Sequence, residues 1–561
     1  MSNEKHGEKA PGHSVVVETA PPTPHLNRMT SIEARDEMML ATLGYRQEFK
    51  RDFSLWSSFS VSFAVLGILP SVASTLSYSL GYSGTAGLTW GWIIAFVGIQ
   101  CVANSMAELS SSMPTSGGLY YCVGVLAPPK WAPFLAYLTG WSNWLGLVSG
   151  SPSVNYGNAA MISALATLNN PNYVATNAKT FGITVALTFV CAVFSALPTK
   201  WIARVNTAQT YLQIIGLLVV MIGLAAGADG SPKFQSNHAV WGTIDNQTDW
   251  PDGIAILMSF LTAIWTMSGY DAPFHLSEEC SNAQIATPRA IVLTSFLGGT
   301  LGWFLCLVIS YVITDVGAVL DSPLGQPFIA VLAQVLPQKT AMAFGAITVI
   351  CGFFCAQGCA ISASRLAFAY ARDGLLPASK AIAKVDERTR TPINACIFNF
   401  VVQVAMLCLI FAGPLAIAAI FSIGATGAYF AFTMPVAMRC FFAGDRWRPG
   451  PWNLGRWSLP TGYAAVAYVG VMIPILCFPS VKGADLDAAS MNWTVVVWGG
   501  PLFLAAVFFA LVARKTYTGP KINIEHLAMP DGKQYTVDEL REEKTTDFTN
   551  LARAATGEQT A

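Results

Sequence analysis

An all-α membrane protein with twelve transmembrane helices is predicted by three features: apolar composition, apolar runs of spanning length, and a one-sided distribution of Lys and Arg. Of the 561 residues, 53% are hydrophobic and 11% charged, with a mean hydropathy of +0.48. That balance leaves too little polar surface for a water-soluble globule. Runs of about 20 residues, enough to cross about 30 Å of hydrocarbon, fall at 56–80, 87–107, 131–163, 180–198, 205–227, 251–274, 290–314, 339–370, 392–412, 414–438, 459–479 and 493–513. If both ends face the cytoplasm, the even-numbered connections hold thirteen Lys and Arg and the odd-numbered ones four. Positive residues accumulate on cytoplasmic loops, so the spacing predicts cytoplasmic termini and an even number of spans.

The flanks read differently from the body. Residues 1–50 lack an apolar core, which argues against a cleavable signal peptide. Their Pro, Ser, Thr and charge content predicts a disordered cytoplasmic tail before a twelve-helix body at 51–515. A second cytoplasmic tail follows at 516–561, with 537–544 as a candidate short helix. All twelve cysteines fall in predicted spans or cytoplasmic connections, so no disulfide framework is expected. Net charge is zero, which gives no electrostatic footprint for a nucleic-acid partner. The sequons at Asn246 and Asn492 lie on predicted outer loops.

No metal-ligand cluster, nucleophile elbow or nucleotide-binding pattern occurs, so neither catalysis nor a cofactor is expected. The Gly117-Gly118 pair lacks the Lys and helix-opening context of a P-loop.

The most informative segment is TMSGYDAPFHLSEE at 266–279, an apolar span interrupted by Gly269, Asp271 and Pro273. In lipid, a break frees backbone N–H and C=O groups, and these are tolerated only against protein, water or a bound solute. A similar interruption, SFAVLGILPS at 62–71, lies about 200 residues upstream. Paired broken spans in corresponding halves of a chain point to a secondary transporter.

Three further passages narrow the reading: MAELSSSMPTSGGLYY at 106–121, RDGLLP at 372–377 following ISASRLAFAYA, and Thr391-Pro392 opening the ninth span. With the sixth-span motif, they resemble the amino-acid/polyamine/organocation superfamily. The nearest branch is the fungal amino-acid/choline transporters, which include GABA, choline and polyamine permeases, and the likeness runs from about Leu43 to Lys515. The resemblance implies a LeuT-like fold: spans one to five and six to ten as a 5+5 inverted repeat with broken helices 1 and 6, and spans eleven and twelve peripheral. It also implies proton coupling and a gating aromatic at Trp265. The proton-carrying lysine of some relatives is absent from NTAQTYLQIIGLLVV at 206–220.

Two half-helices would offer free N–H groups to a substrate carboxylate and free carbonyls to its ammonium group. The candidate binding residues are Ser62, Phe63, Ala64, Val65, Leu66 and Gly67 on the first span and Ser268, Gly269, Tyr270 and Asp271 on the sixth. The competing reading is that Gly67 and Gly269 only allow close helix packing. Asn143, Trp144, Phe353, Phe354, Gln357 and Tyr429 are candidates to complete the pocket, and Trp265, Tyr270 and Phe354 to form an aromatic box for a quaternary ammonium.

Asp271 is either a proton or amine site or a cap on the second half-helix. His275 is either a pH-sensitive gate or half of a helix-surface ion pair with Glu278 or Glu279. Glu108, Arg365 and Arg372, with Glu278 and Glu279, are candidates for inner-gate salt bridges.

The expectation is a proton symporter of the fungal plasma membrane importing an amino acid or related amine such as GABA. Its partners would be a small-molecule substrate, a coupling proton and the lipid bilayer. A choline, polyamine or vitamin permease is the alternative. A non-transporting nutrient sensor is a minor one, because such a protein would carry a long signalling tail. A channel would line its pore with charge, of which these spans hold almost none.

Overall fold

The computed structural model describes residues 31–520, apart from single positions within 44–52, 387–390, 488–489 and 516–518 and at 231. Among the described residues it is all helical, with one isolated bridge between Phe53 and Cys280.

Helix α1 (Ser31–Thr42) precedes α2 (Leu55–Leu66) and α3 (Ile68–Ala86). A π-helical turn, Gly87–Gly91, leads into α4 (Trp92–Ser112), and the short α5 (Leu119–Leu126) follows. Next come α6 (Ala132–Asn169), α7 (Asn177–Ser195), α8 (Thr199–Gly227) and the loop helix α9 (Asn237–Trp241). The sixth predicted span is three pieces, α10 (Asp252–Ser259), α11 (Leu261–Thr266) and α12 (Ala272–His275). After α13 (Ala283–Val312), the loop holds α14 (Val316–Leu320) and α15 (Pro327–Val335). The chain ends with α16 (Gln338–Arg372), α17 (Ser379–Ile382), α18 (Ile393–Leu407), α19 (Pro414–Phe441), α20 (Ser458–Leu476) and α21 (Gly500–Leu511).

Helices thus occupy every predicted span. Among the described residues, eight helical runs are long and apolar enough to cross a membrane, and Asp252–Thr266 and Val495–Leu511 are shorter apolar helices. One run, Leu55–Ser112, holds the first two predicted spans. They separate at Ser83 and Gly84, whose backbone is non-helical. Helix α6 falls outside the eight because its interior face is small and polar: Ser142, Asn143, Gly146, Ser149 and Ser151 are all buried. Small residues let helix backbones approach closely where no hydrophobic force drives association, and α6 packs on α16 and α19. The outer helices show the opposite pattern. Phe189 and Val193 on α7, and Ile215, Val219 and Ile222 on α8, are exposed apolar residues, as a lipid-facing surface requires.

The stretch expected as a disordered tail meets the folded body well before residue 50. In addition to α1, Leu40, Leu43 and Tyr45 are buried. Residues 1–30, and 537–544 of the second tail, lie outside the described residues. Neither sequon presents a free amide: Asn246 donates to the Trp250 carbonyl and Asp252, and Asn492 to the carbonyls of Leu476 and Phe478.

Candidate functional site

The two interruptions touch each other. Helix α2 stops at Leu66 because Gly67 takes the left-handed conformation (φ 47°, ψ 56°), which glycine adopts without a Cβ penalty. A Cβ at Gly67 would also fall 2.5 Å from Cys355 Sγ. The second break is a series of turns over 267–271, in which Ser268 N–H donates to the Trp265 carbonyl and Ala272 N–H to that of Gly269. Pro273 sits in the first turn of α12, where a missing N–H costs no helical bond. At Gly269 a Cβ would lie 2.4 Å from Val65 Cγ1. Gly67 therefore breaks its helix, and Gly269 brings the second break against the first.

Beside this contact lies a small cavity of about 30 Å³. Five expected residues line it: Val65, Leu66, Trp265, Ser268 and Gly269. The rest of the wall escaped the sequence reading. It comprises Ser71 of α3, Cys359 of α16, Gly146, Leu147, Gly150 and Val154 of α6, and Gly424 and Ala428 of α19. Among the described residues, no charged side chain lines it. The carbonyls freed at the first break are not bare: Ala64 accepts from Gln213 Nε2 at 3.1 Å, Val65 from Cys355 Sγ at 3.1 Å, and Leu66 from Ser71 Oγ at 2.8 Å. A carbonyl has two lone pairs, so each keeps capacity for one more donor. By helix geometry the first N–H groups of α3 lack intrahelical acceptors.

Trp265 meets Phe421 edge-on at 5.2 Å, and Phe421 meets Tyr78 at 6.5 Å. Beyond these rings a second recess, about 50 Å³, is lined by Tyr78, Tyr82, Ser422 and residues within 475–492. Trp265 faces the inner cavity and Tyr78 the recess, so the three rings divide them.

Other expected pocket residues are turned elsewhere. Ser62 Oγ bonds Thr294 Oγ1, and Phe63 packs on Phe59. Trp144 donates to Asn399 and stacks on Phe398. Gln357 is buried outside the cavity wall. The aromatic box is not assembled: Tyr270 packs with Tyr429 and Phe432, while Phe354 packs with Phe353. On α16, Cys359 reaches the cavity wall and Cys355, one turn before it, donates to the Val65 carbonyl, a face that Phe354 and Gln357 do not share.

Asp271 and His275 form a buried pair, with Oδ2 and Nε2 3.1 Å apart and side-chain exposures of 0% and 1%. Asp271 makes no capping bond to α12, so the cap reading fails. The helix-surface pairing of His275 with Glu278 or Glu279 also fails, because α12 ends at His275. Leu276 leaves helical geometry and a 3-10 turn follows, so the later glutamates are off its face. Asn143 Nδ2 lies 3.4 Å from His275 Nε2 and donates to Tyr370 OH at 3.0 Å.

Of the proposed inner salt bridges, Arg372 to Glu278 forms at 3.5 Å, and Glu278 also accepts from Ser116 N–H at 2.9 Å. Glu108 instead pairs with Arg439 at 2.6 Å and accepts from Ser458 Oγ and Leu454 N–H. Arg439 further lies over the Trp447 ring. Arg365 makes no ion pair among the described residues and donates to the Ser195 carbonyl. The Glu279 carbonyl accepts from Phe53 N–H.

The N-terminal segment closes this face. Gln47 donates to the Glu278 carbonyl, and Arg51 to those of Ser277 and Cys280. Asp36 accepts from Asn282 N–H at 2.6 Å and pairs with Arg51. Tyr45 lies beneath the Arg372 guanidinium and donates to Asp373. Burial first, and the Asp373 carboxylate second, push the Tyr45 hydroxyl well above its ordinary pKa, so it stays a donor.

Comparison with known proteins matches this arrangement to a family. A family model described as amino acid permease matches residues 53–501. An uncharacterised amino-acid permease of Schizosaccharomyces pombe is 54% identical over 88% of this chain and 91% of its own. A Candida albicans protein named as a candidate polyamine transporter is 47% identical over 87% of this chain and 89% of its own. The GABA-specific permease of Saccharomyces cerevisiae is 32% identical over 87% and 86%. The chain is an integral membrane protein and belongs to the amino acid permease family, whose members are transporters and not enzymes.

Proposed function

We propose that this protein is a proton-driven secondary transporter that imports an amino acid or related amine, such as GABA, by alternating access. Twelve spans, with both termini in the cytoplasm of a fungal cell, would set two inverted five-helix repeats around the broken helices. The observation that carries the reading is the contact of Gly269 with Val65 beside an uncharged cavity. Backbone groups there suit a zwitterion: the first N–H groups of α3 for a carboxylate, and the remaining lone pairs at Ala64, Val65 and Leu66 for an ammonium group. The Trp265, Phe421 and Tyr78 rings would close the outer path. Arg372–Glu278 and the contacts of Asp36, Gln47, Arg51 and Phe53 with 277–282 would close the inner one.

A second reading is favoured by one finding, since the relative named for polyamines is more similar to this chain than the GABA permease. Against it, a polyamine needs several acidic partners and the cavity wall has none. Uptake of labelled GABA, choline, putrescine and a panel of amino acids decides, measured at two external pH values in cells lacking their own permeases. The account expects GABA or a neutral amino acid to enter faster at acid external pH. Uptake of putrescine alone would favour the second reading, and transport indifferent to the proton gradient would remove coupling.

A further inference from the structure

Resting on the proton-coupled reading above, we propose that Asp271 and His275 hold the coupling proton between them, and that this shared proton keeps the α12 turn closed. The geometry allows little else. His275 Nδ1 faces the Ser116 carbonyl at 3.4 Å, which can only accept, so Nδ1 keeps its hydrogen. Nε2 faces Asp271 Oδ2 at 3.1 Å. Either the carboxyl carries the proton and donates to Nε2, or an imidazolium donates to a carboxylate. In both cases one proton lies on that line and the pair is neutral overall.

Without that proton, a carboxylate oxygen and an imidazole lone pair would oppose each other at this distance, with one net negative charge in dry protein. Such a state is strongly disfavoured unless water enters or the groups separate. Among the described residues no cation substitutes for it. Asn143 of α6 and Tyr370 of α16 are neutral, and Asn143, with two N–H groups, gives one to Tyr370 at 3.0 Å and reaches Nε2 only at 3.4 Å. Tyr270, and Tyr429 of α19, are further ionisable neighbours, and Glu278 stands behind Ser116, from whose N–H it accepts. Arg372 is engaged with Glu278 one turn further on. Of the other helices packed against α12, α2 has no titratable side chain and the charged residue of α13, Arg289, is exposed. Asp271 Oδ1, though buried, has no hydrogen-bond partner among the described residues, which leaves a position where an entering water or hydronium can bind. The step is a proton transfer from water on one side to the pair, and from the pair to water on the other. No other bond changes.

The test uses the full chain in lipid vesicles. Infrared difference spectra across about pH 5 to 8 should contain a carboxyl band, of the acid or of the carboxylate, that Asp271→Asn abolishes and His275→Gln alters; spectra without such a band overturn the shared proton. A band unaffected by His275→Gln overturns the shared proton. In the same vesicles, the ratio of acid-outside accumulation to equal-pH counterflow, for labelled GABA and putrescine, should fall at least about tenfold in His275→Gln. An unchanged ratio overturns the coupling role of the pair. Wild-type vesicles that ignore the gradient, with the infrared signature intact, would overturn the proton-driven reading and the transport role together, leaving only the shared proton standing.

Discussion

At the residue scale the account depends on small side chains at the two breaks. Replacing Gly269 with Ala places a methyl group against Val65, an overpacking that typically costs about 1–3 kcal/mol. Uptake is expected to fall about tenfold or more, and Val65→Ala in the same chain to restore part of it, because the collision lies between those two groups. Gly269→Ala uptake equal to wild type would show that the breaks do not need this approach. Gly67→Ala should be worse and not rescuable, since it adds a left-handed backbone cost of about 1–2 kcal/mol to a collision with Cys355. Both glycines were legible in the sequence because broken helices leave local signs. Phe421, Cys359 and Gly424 were not, because which face of a helix meets a cavity depends on packing. His275 shows the limit most clearly. Its spacing of three and four residues from Glu278 and Glu279 favoured a pair with them, whereas α12 ends at His275 and the ring pairs with Asp271, four residues before it.

At the element scale, two tie points hold the helices in register. Glu108 of α4 and Arg439 of α19 form a buried pair, and removing one partner of such a pair costs about 3–5 kcal/mol. Glu108→Gln should lower the thermal unfolding temperature in detergent markedly, and Glu108→Gln with Arg439→Met should recover much of it. Equal temperatures for single variant and wild type would contradict the pair's structural role. The other tie is the N-terminal segment. Arg51→Ala removes donors to Ser277 and Cys280, each charge-assisted bond being worth about 1.5–3 kcal/mol. Faster amide hydrogen exchange over 272–282 is expected, and unchanged exchange would show that the segment does not stabilise the turn. The helices themselves were readable from apolar run length. The docking of residues 31–47 was not, because Leu40, Leu43 and Tyr45 are scattered among polar residues and find their partners only in tertiary contacts.

At the scale of the whole molecule, α6 illustrates why composition predicts a membrane protein better than it predicts each span. Its buried Ser, Gly and Asn residues lower its hydropathy where it packs between α16 and α19, while α7 and α8, with exposed apolar faces, read as ordinary spans. The cavity adds a whole-protein prediction: Cys359 lies on its wall, so a small cationic thiol reagent should block uptake. Substrate should slow the block, and Cys359→Ser should abolish it. Block that persists in Cys359→Ser would place the reactive thiol elsewhere.

The most direct measurement of all is an experimental structure of the protein with its transported substrate bound. The account predicts helices interrupted at Gly67 and over 267–271, with the ligand between them against Val65, Trp265 and Gly269. Continuous helices through both positions, or a ligand seated away from that contact, would contradict it.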